Sequence, residues 1–152
     1  MAASAQRGGL ARRLLPWLVA ISIAYGSLYP FRLQFPPPDG AWTSLLSLTP
    51  PAIHLGDILA NSLLFMPLGF LLARCEQSWE KGLTTAAAAG LGLGLGLQLL
   101  QVFVEGRIPS LWDGLWNTWG ALVGALLAVG LAQPAAARCR FIPHPLAQAA
   151  DP

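Results

Sequence analysis

Four long stretches of the chain are apolar, and short segments rich in polar residues or proline separate them. They cover residues 14–31, 55–74, 83–104 and 111–132. Each has about the length that an α-helix needs to cross a hydrocarbon core roughly 30 Å thick. The pattern predicts an all-α fold, a polytopic membrane protein with a four-transmembrane-helix bundle. The longest connection, between the first two stretches, contains Trp42, Leu45, Leu46 and Leu48 among its prolines, which predicts a short interfacial segment.

The composition agrees with a lipid environment. Hydrophobic residues make up 55% of the chain and charged residues only 11%, whereas a soluble domain carries about 25% charged residues. The net charge of +2 is small, and no basic stripe alternates with aromatic residues, so we expect no nucleic-acid partner. No spacing of histidine, cysteine and acidic residues is typical of a metal site, and we expect no cofactor.

The basic residues predict the orientation in the membrane. Of the nine, seven fall on the side of the two termini and the middle connection, and two (Arg32 and Arg107) fall on the other side; the seven are Arg7, Arg12, Arg13, Arg74, Lys81, Arg138 and Arg140. Because basic residues concentrate in cytoplasmic loops, both termini are predicted to be cytoplasmic. Residues 1–13 are then an N-terminal cytoplasmic segment, 14–132 the membrane domain and 133–152 a flexible cytoplasmic tail. Cys75 and Cys139 would face the reducing side as free thiols.

Three of the apolar stretches carry polar residues at steps of three and four, which places each set on one face of its helix. A charged group at the centre of a membrane helix costs about 2.5–3.5 kcal/mol, so this regular placement requires a physical reason. The sets are His54, Asp57 and Asn61 in the second stretch, Gln98, Gln101 and Glu105 in the third, and Ser110, Asp113 and Asn117 in the fourth.

The orientation places all three sets at the non-cytoplasmic end of the bundle, because the second and fourth stretches begin there and the third ends there. We therefore predict a polar cleft that opens outward, with amides at its floor and Arg107 and Arg32 at its mouth. The predicted binding residues are Asp57, Asn61, Gln98, Gln101, Glu105, Arg107, Asp113 and Asn117. In the alternative interpretation these side chains only form hydrogen bonds between helices, and Arg107 neutralises Glu105 or Asp113.

Small residues extend two of the polar faces. Gly90 and Gly94 continue the face of Gln98 in the third stretch, and Gly120 and Gly124 continue that of Asn117 in the fourth. Since glycines spaced by four residues let membrane helices approach closely, these polar faces are predicted to be packing faces.

Two motifs resemble signatures of the VanZ-like family, the relatives of the teicoplanin-resistance protein VanZ. The segment Asn61-Ser-Leu-Leu-Phe65-Met-Pro67-Leu-Gly69 is similar to the N-x3-F-x-P-L-G signature of that family. The second motif consists of Gln101, Arg107, Asp113, Asn117, Gly120 and Gly124. The resemblance covers about residues 25–127 and implies a small protein of the bacterial inner membrane and cell envelope, in a family associated with antibiotic (glycopeptide) resistance.

The chain departs from the family pattern at two positions. Family members often have Glu where this chain has Gln98, and Asp where it has Ser110. Both differences remove a carboxylate from the predicted cleft. If those acids perform chemistry in relatives, part of that chemistry is absent here; if they are structural, Gln and Ser can keep the hydrogen bonds.

Three functions are compatible with these residues. The first is a non-enzymatic envelope protein whose partners are membrane lipids or a lipid-linked cell-wall intermediate, with Arg107 contacting an anionic group. The second is a membrane enzyme acting on a lipid-linked phosphate, in which Asp57 and Asp113 hold a divalent cation or act as acid and base, helped by His54. The third is an accessory subunit without a site. The lack of a convincing nucleophile–base pair favours the first.

Overall fold

The structure is a computed structural model that describes residues 2–49 and 55–131, with side chains from residue 14 onward. The helices in these ranges are α1 (Ala2–Leu28), α2 (Ala41–Leu46), α3 (Leu55–Cys75), α4 (Trp79–Gln101) and α5 (Leu111–Gly130). In these ranges the regular secondary structure is helical apart from one isolated β-bridge, which confirms the all-α prediction. His54 and the predicted tail at 133–152 lie outside the described residues.

Serine residues define where two of the long helices begin. The Ser78 side chain accepts a hydrogen bond from the Lys81 backbone N–H at 3.3 Å, and Ser110 accepts one from that of Trp112 at 3.2 Å. Each serine satisfies a backbone donor that has no partner within the first turn of its helix. These two caps set the starts of α4 and α5.

Helices α3, α4 and α5 pack against one another, and α1 packs against α3 and α4. The buried apolar cluster between them contains Ile23 of α1, Phe65, Leu68 and Leu72 of α3, Leu97 of α4 and Ala121 of α5. Every one of the four long helices therefore contributes a side chain to a common core.

The backbones of α3 and α5 come close together at glycine positions. A Cβ atom at Gly120 would overlap the backbone of Ser62, one at Gly124 that of Met66, and one at Gly69 that of Ala121. On α4, a Cβ at Gly94 would lie 3.1 Å from Asn117 Cβ, and one at Gly90 would lie 2.9 Å from Ala121 Cβ. These contacts confirm that the glycine faces of α4 and α5 are packing faces.

Two of the four predicted membrane spans are long, apolar helices in the structure. Within the described ranges, α3 and α4 are the helices long and apolar enough to cross a membrane, and the apolar part of α1 is the shorter segment Leu14–Leu28. Helix α5 has 20 residues and carries Asp113, Asn117 and three tryptophans. That α1 and α5 also cross the membrane is still a prediction.

The third predicted span ends earlier than the hydrophobic pattern indicated. Helix α4 ends at Gln101, and the chain then forms a β-bridge between Leu33 and Val104. The Glu105 backbone N–H donates to the carbonyl of Arg32 at 2.9 Å, so Glu105 lies beyond α4. Its predicted position on the same helical face as Gln98 and Gln101 is therefore wrong, because pairing with the 32–34 segment replaces the next helical turn.

The connections at this end cover the bundle with a small apolar cluster of their own. Ala41 and Leu45 of α2 pack with Val102, and Phe103 and Leu111 border them. The Phe103 ring also stacks on Phe35, with centroids 5.1 Å apart. The predicted short apolar segment is therefore a helix, and it packs on the connection between α4 and α5.

Cys75 is buried and disulfide-bonded, which contradicts the prediction of a free thiol at this position. That prediction rested only on the compartment expected for the middle connection. Compartment says nothing about which sulfur atoms the tertiary structure brings together.

The glycine contacts generate a stability prediction. Gly124→Ala is expected to destabilise the protein by about 1–3 kcal/mol, because its Cβ would overlap the Met66 backbone, which cannot move as a side chain can. The matched control is Gly92→Ala on α4, where a Cβ meets nothing within 4 Å. Alanine favours a helix over glycine by about 0.5–1 kcal/mol, so this control is expected to be neutral or stabilising. Thermal unfolding in detergent measures both, and equal effects would contradict the packing described.

Candidate functional site

The register of the helices brings three helix ends together. Helices α3 and α5 run in the same direction, since Ser62 contacts Gly120 and Met66 contacts Gly124. Helix α4 runs the opposite way, since Gly94 contacts Asn117 and Gly90 contacts Ala121. The starts of α3 and α5 therefore lie at the same end of the bundle as the end of α4, as the sequence predicted. We call this the polar end.

Gln98 connects α4 to the start of α5. Its side chain is 3% exposed, and its Oε1 accepts a hydrogen bond from the Ser110 backbone N–H at 2.9 Å. Because Ser110 is also the N-cap of α5, this contact fixes where α5 begins relative to α4. The side-chain oxygen of Gln98 therefore stabilises the contact between α4 and the start of α5.

Gln101 and Arg107 hold the end of α1. Gln101 Nε2 donates to the Ser27 carbonyl at 2.9 Å, and Arg107 Nη2 donates to the carbonyls of Tyr29 and Gly26 at 2.9 and 3.3 Å. The last carbonyls of a helix have no partner within the helix, and a cation there also interacts favourably with the helix dipole. These two side chains thus fasten α1 to the rest of the bundle.

Arg107 does not neutralise either carboxylate that the alternative interpretation assigned to it. Within residues 14–49 and 55–131, its hydrogen bonds go to α1 carbonyls, and no ion pair joins it to Glu105 or Asp113. Its side chain is exposed, as is that of Glu105. The positive charge of Arg107 is therefore held in place without a carboxylate partner among the described residues.

Asp57 and Asp113 lie in the first turns of α3 and α5. The register of the two parallel helices places these first turns at the same end of the bundle. A helix N-terminus carries a partial positive charge that stabilises an acidic residue in its first turn. Asp57 is exposed and Asp113 partly buried, and Asn61 lies partly buried one turn further along α3.

Asn117 is the most unusual of the predicted site residues. It is 3% exposed and lies against Gly94 of α4, yet its Oδ1 makes no hydrogen bond within the part of the chain that the structure describes. Leaving a buried polar group without a partner costs about 1–3 kcal/mol. A hydrogen bond between helices therefore does not explain this side chain.

The structure thus divides the predicted site into two groups. Gln98, Gln101 and Arg107 each bind a backbone group of another segment. Asp57, Asn61, Asp113 and Asn117 lie on the first two turns of α3 and α5, and no hydrogen bond ties their side chains to other described residues. Glu105 lies apart, on the connection after α4. The membership of all eight in one binding cleft is still a prediction.

Sequence reasoning missed the partners that the first group uses. The carbonyls of Gly26, Ser27 and Tyr29 accept from Gln101 and Arg107, and a backbone carbonyl leaves no signal in a sequence because every residue has one. It also missed Ser62, whose hydroxyl donates to the Trp116 carbonyl at 3.3 Å. Its place next to Asn61 in a conspicuous motif was the only available signal.

A comparison with known families decides the assignment. The family model described as VanZ/LLP1 matches residues 13–133. The chain belongs to the VanZ/LLP1 family. No curated protein and no solved structure matches it.

The geometry explains the two departures from the VanZ-like pattern as substitutions that keep a structural role. At position 98 the structure uses an acceptor oxygen, which Glu also has. At position 110 it uses an N-cap acceptor, and Asp is as good an N-cap as Ser. The two carboxylates of relatives are therefore replaceable without loss of these hydrogen bonds.

Gln98 uses its side-chain oxygen as an acceptor, whereas Gln101 uses its side-chain nitrogen as a donor. Substitution by Glu is therefore expected to affect protein stability differently at the two positions. Gln98→Glu keeps the acceptor for Ser110 and is expected to cost little. Gln101→Glu places a carboxylate against the Ser27 carbonyl and is expected to destabilise by about 1–3 kcal/mol. Both side chains are buried, so the cost of burying a carboxyl group affects them similarly. Thermal unfolding in detergent measures the stability of both variants. A larger loss of stability for Gln98→Glu than for Gln101→Glu would contradict the assignment of Gln98 as acceptor and Gln101 as donor.

Proposed function

We propose that this protein is a non-enzymatic component of the bacterial inner membrane whose polar end binds an anionic group of a lipid headgroup or of a lipid-linked cell-wall intermediate. Membership of the VanZ/LLP1 family and two apolar helices support a membrane protein linked to glycopeptide resistance. The observation that carries the proposal is that Arg107 is exposed and held by backbone carbonyls, with no carboxylate partner among the described residues.

A guanidinium group has five N–H donors, and the two hydrogen bonds of Arg107 engage only its Nη2 atom. The α1 carbonyls orient the group, while its exposed side leaves donors for a ligand. Arginine binds phosphate and carboxylate through paired, charge-assisted hydrogen bonds. A positioned, exposed arginine without a carboxylate partner is suited to an anion.

An apolar groove supports a lipid as the ligand. A cavity of about 430 Å³ lies between α1, α3 and α4, and Pro16, Trp17, Leu68, Leu72 and Ala88 are among its lining residues. The groove lies away from the polar end, further along the same helices. An acyl chain extending from a headgroup at the polar end fits such a surface better than a soluble ligand does.

The binding prediction uses arginines at the two ends of the bundle. Arg107→Gln is expected to weaken binding of a short-chain phosphatidylglycerol by at least about tenfold, since hydrogen bonds to a charged group contribute about 1.5–3 kcal/mol. Titration of the purified protein in a neutral detergent measures the dissociation constant. Arg74→Gln, which removes the same charge in the last turn of α3, is the matched control.

Thermal unfolding must show that both variants are folded before their affinities are compared. If the two substitutions weakened binding equally, the affinity for phosphatidylglycerol would depend only on the net charge of the protein. No weakening by Arg107→Gln would remove the basis of the proposed function.

We further propose that α1 and α5 also cross the membrane and that both termini are cytoplasmic. The distribution of basic residues, seven against two, and the packing of α1 and α5 on the two apolar helices support this arrangement. The disulfide at Cys75 is the observation against it, because disulfides are rare in the reducing cytosol.

Reporter fusions test the orientation directly. Green fluorescent protein at the C-terminus is expected to fluoresce in bacterial cells, and alkaline phosphatase at the same place is expected to be inactive. Alkaline phosphatase inserted at Asp39, between α1 and α2, is expected to be active. The opposite pattern would reverse the topology and would place the Cys75 disulfide in an oxidising compartment.

A further inference from the structure

Several polar atoms at the polar end lack partners among the described residues, and three of the side chains involved offer acceptor oxygens. Gln101 and the Nη2 atom of Arg107 donate to carbonyls at the end of α1, which leaves the other donors of Arg107 for the proposed anion. The carboxylates of Asp57 and Asp113 and the Oδ1 atom of Asn117 are not engaged with other described groups. We call these three residues the acceptor cluster.

Asn117 shows that the cluster extends into the protein interior. It follows Asp113 by four residues on α5, so the two share a face and lie about 6 Å apart along the helix axis. Its Cβ and Nδ2 atoms pack closely on the Gly94 backbone, whereas Oδ1 is the buried atom that lacks a partner. Because buried acceptors in folded proteins are nearly always paired, Oδ1 requires a donor from outside the described residues.

The two carboxylates define the charge of that donor. Asp57 and Asp113 lie in the first turns of two adjacent parallel helices, at the same end of the bundle, and neither forms an ion pair with Arg107. Like charges at the edge of a low-dielectric region repel each other, and a cation beside them relieves that repulsion. A water molecule would satisfy Asn117 but would not balance the carboxylates.

We propose that the acceptor cluster is a subsite for a primary ammonium group. The carboxylates of Asp57 and Asp113 balance its charge, and Asn117 Oδ1 accepts one of its N–H donors. An ammonium is favoured over a metal ion because no group of three metal-binding side chains converges within the described residues. This inference rests on the proposed function: with the anion at Arg107, the ligand carries both a phosphate and a primary amine.

The test compares lipids that share the phosphate and differ in the amine. Short-chain phosphatidylethanolamine has a primary ammonium, whereas phosphatidylcholine has the same charge without N–H donors. We expect the purified protein to bind the ethanolamine lipid at least about tenfold more tightly, as expected for a charge-assisted hydrogen bond. Asp57→Asn and Asp113→Asn should each bring the ratio of the two affinities close to one.

Two further variants make the result specific. Asn117→Leu has nearly the same shape and removes the acceptor, so it should also lower the ratio. Glu80→Gln removes an acidic charge from the first turn of α4, at the opposite end, and should leave the ratio unchanged. Asp57 is exposed, so Asp57→Asn provides a readout even if a buried variant fails to fold.

The outcomes separate this inference from the proposed function. Equal affinity for the two lipids in the wild-type protein would overturn the ammonium subsite, while an Arg107-dependent affinity for phosphatidylglycerol would still support the proposed function. An ethanolamine preference that needs Asp57 and Asp113 but not Arg107 would support the subsite alone. Competition by free ethanolamine would support a soluble amine as the source, and a preference seen only with the lipid would support the headgroup.

Discussion

The close approach of α3 and α5 is the constraint on which the rest of the molecule depends. Gly69, Gly120 and Gly124 let the two backbones touch, and an added methyl group at any of them would overlap main-chain atoms of the partner helix. Lipid tails are as apolar as leucine, so membrane helices associate through packing of this kind rather than by excluding water. The contact sets the register of α3 against α5, and the register brings the first turns that carry Asp57 and Asp113 to the same level.

The polar side chains of α4 and the following connection complete the assembly. Gln98 fixes the start of α5, while Gln101 and Arg107 attach the end of α1. All three bind backbone groups, whose positions follow from the helix ends and do not depend on the side chains of the partner. At position 98 the contact needs only an acceptor oxygen, which both Gln and Glu have.

Once these contacts are made, the unpaired groups on the first two turns of α3 and α5 differ in chemistry from Arg107. Arg107 presents an exposed positive charge, whereas Asp57, Asp113 and Asn117 present acceptor atoms. A ligand that matches both regions must itself carry separated opposite charges. The proposed ligand binding rests on these two groups of side chains.

The amino-acid sequence by itself determined the helices, their glycine faces and the end at which the polar residues lie, because periodicity of apolar and small residues is a local property of the chain. It also identified the family, through motifs in α3 and α5. It could not place Glu105, since the end of α4 depends on pairing with the distant 32–34 segment, nor could it find the α1 carbonyls that Gln101 and Arg107 bind. Only the tertiary structure decided which polar atoms form hydrogen bonds and which, above all the oxygen of Asn117, lack a partner. The reason is that hydrogen bonding depends on distances between residues far apart in the chain.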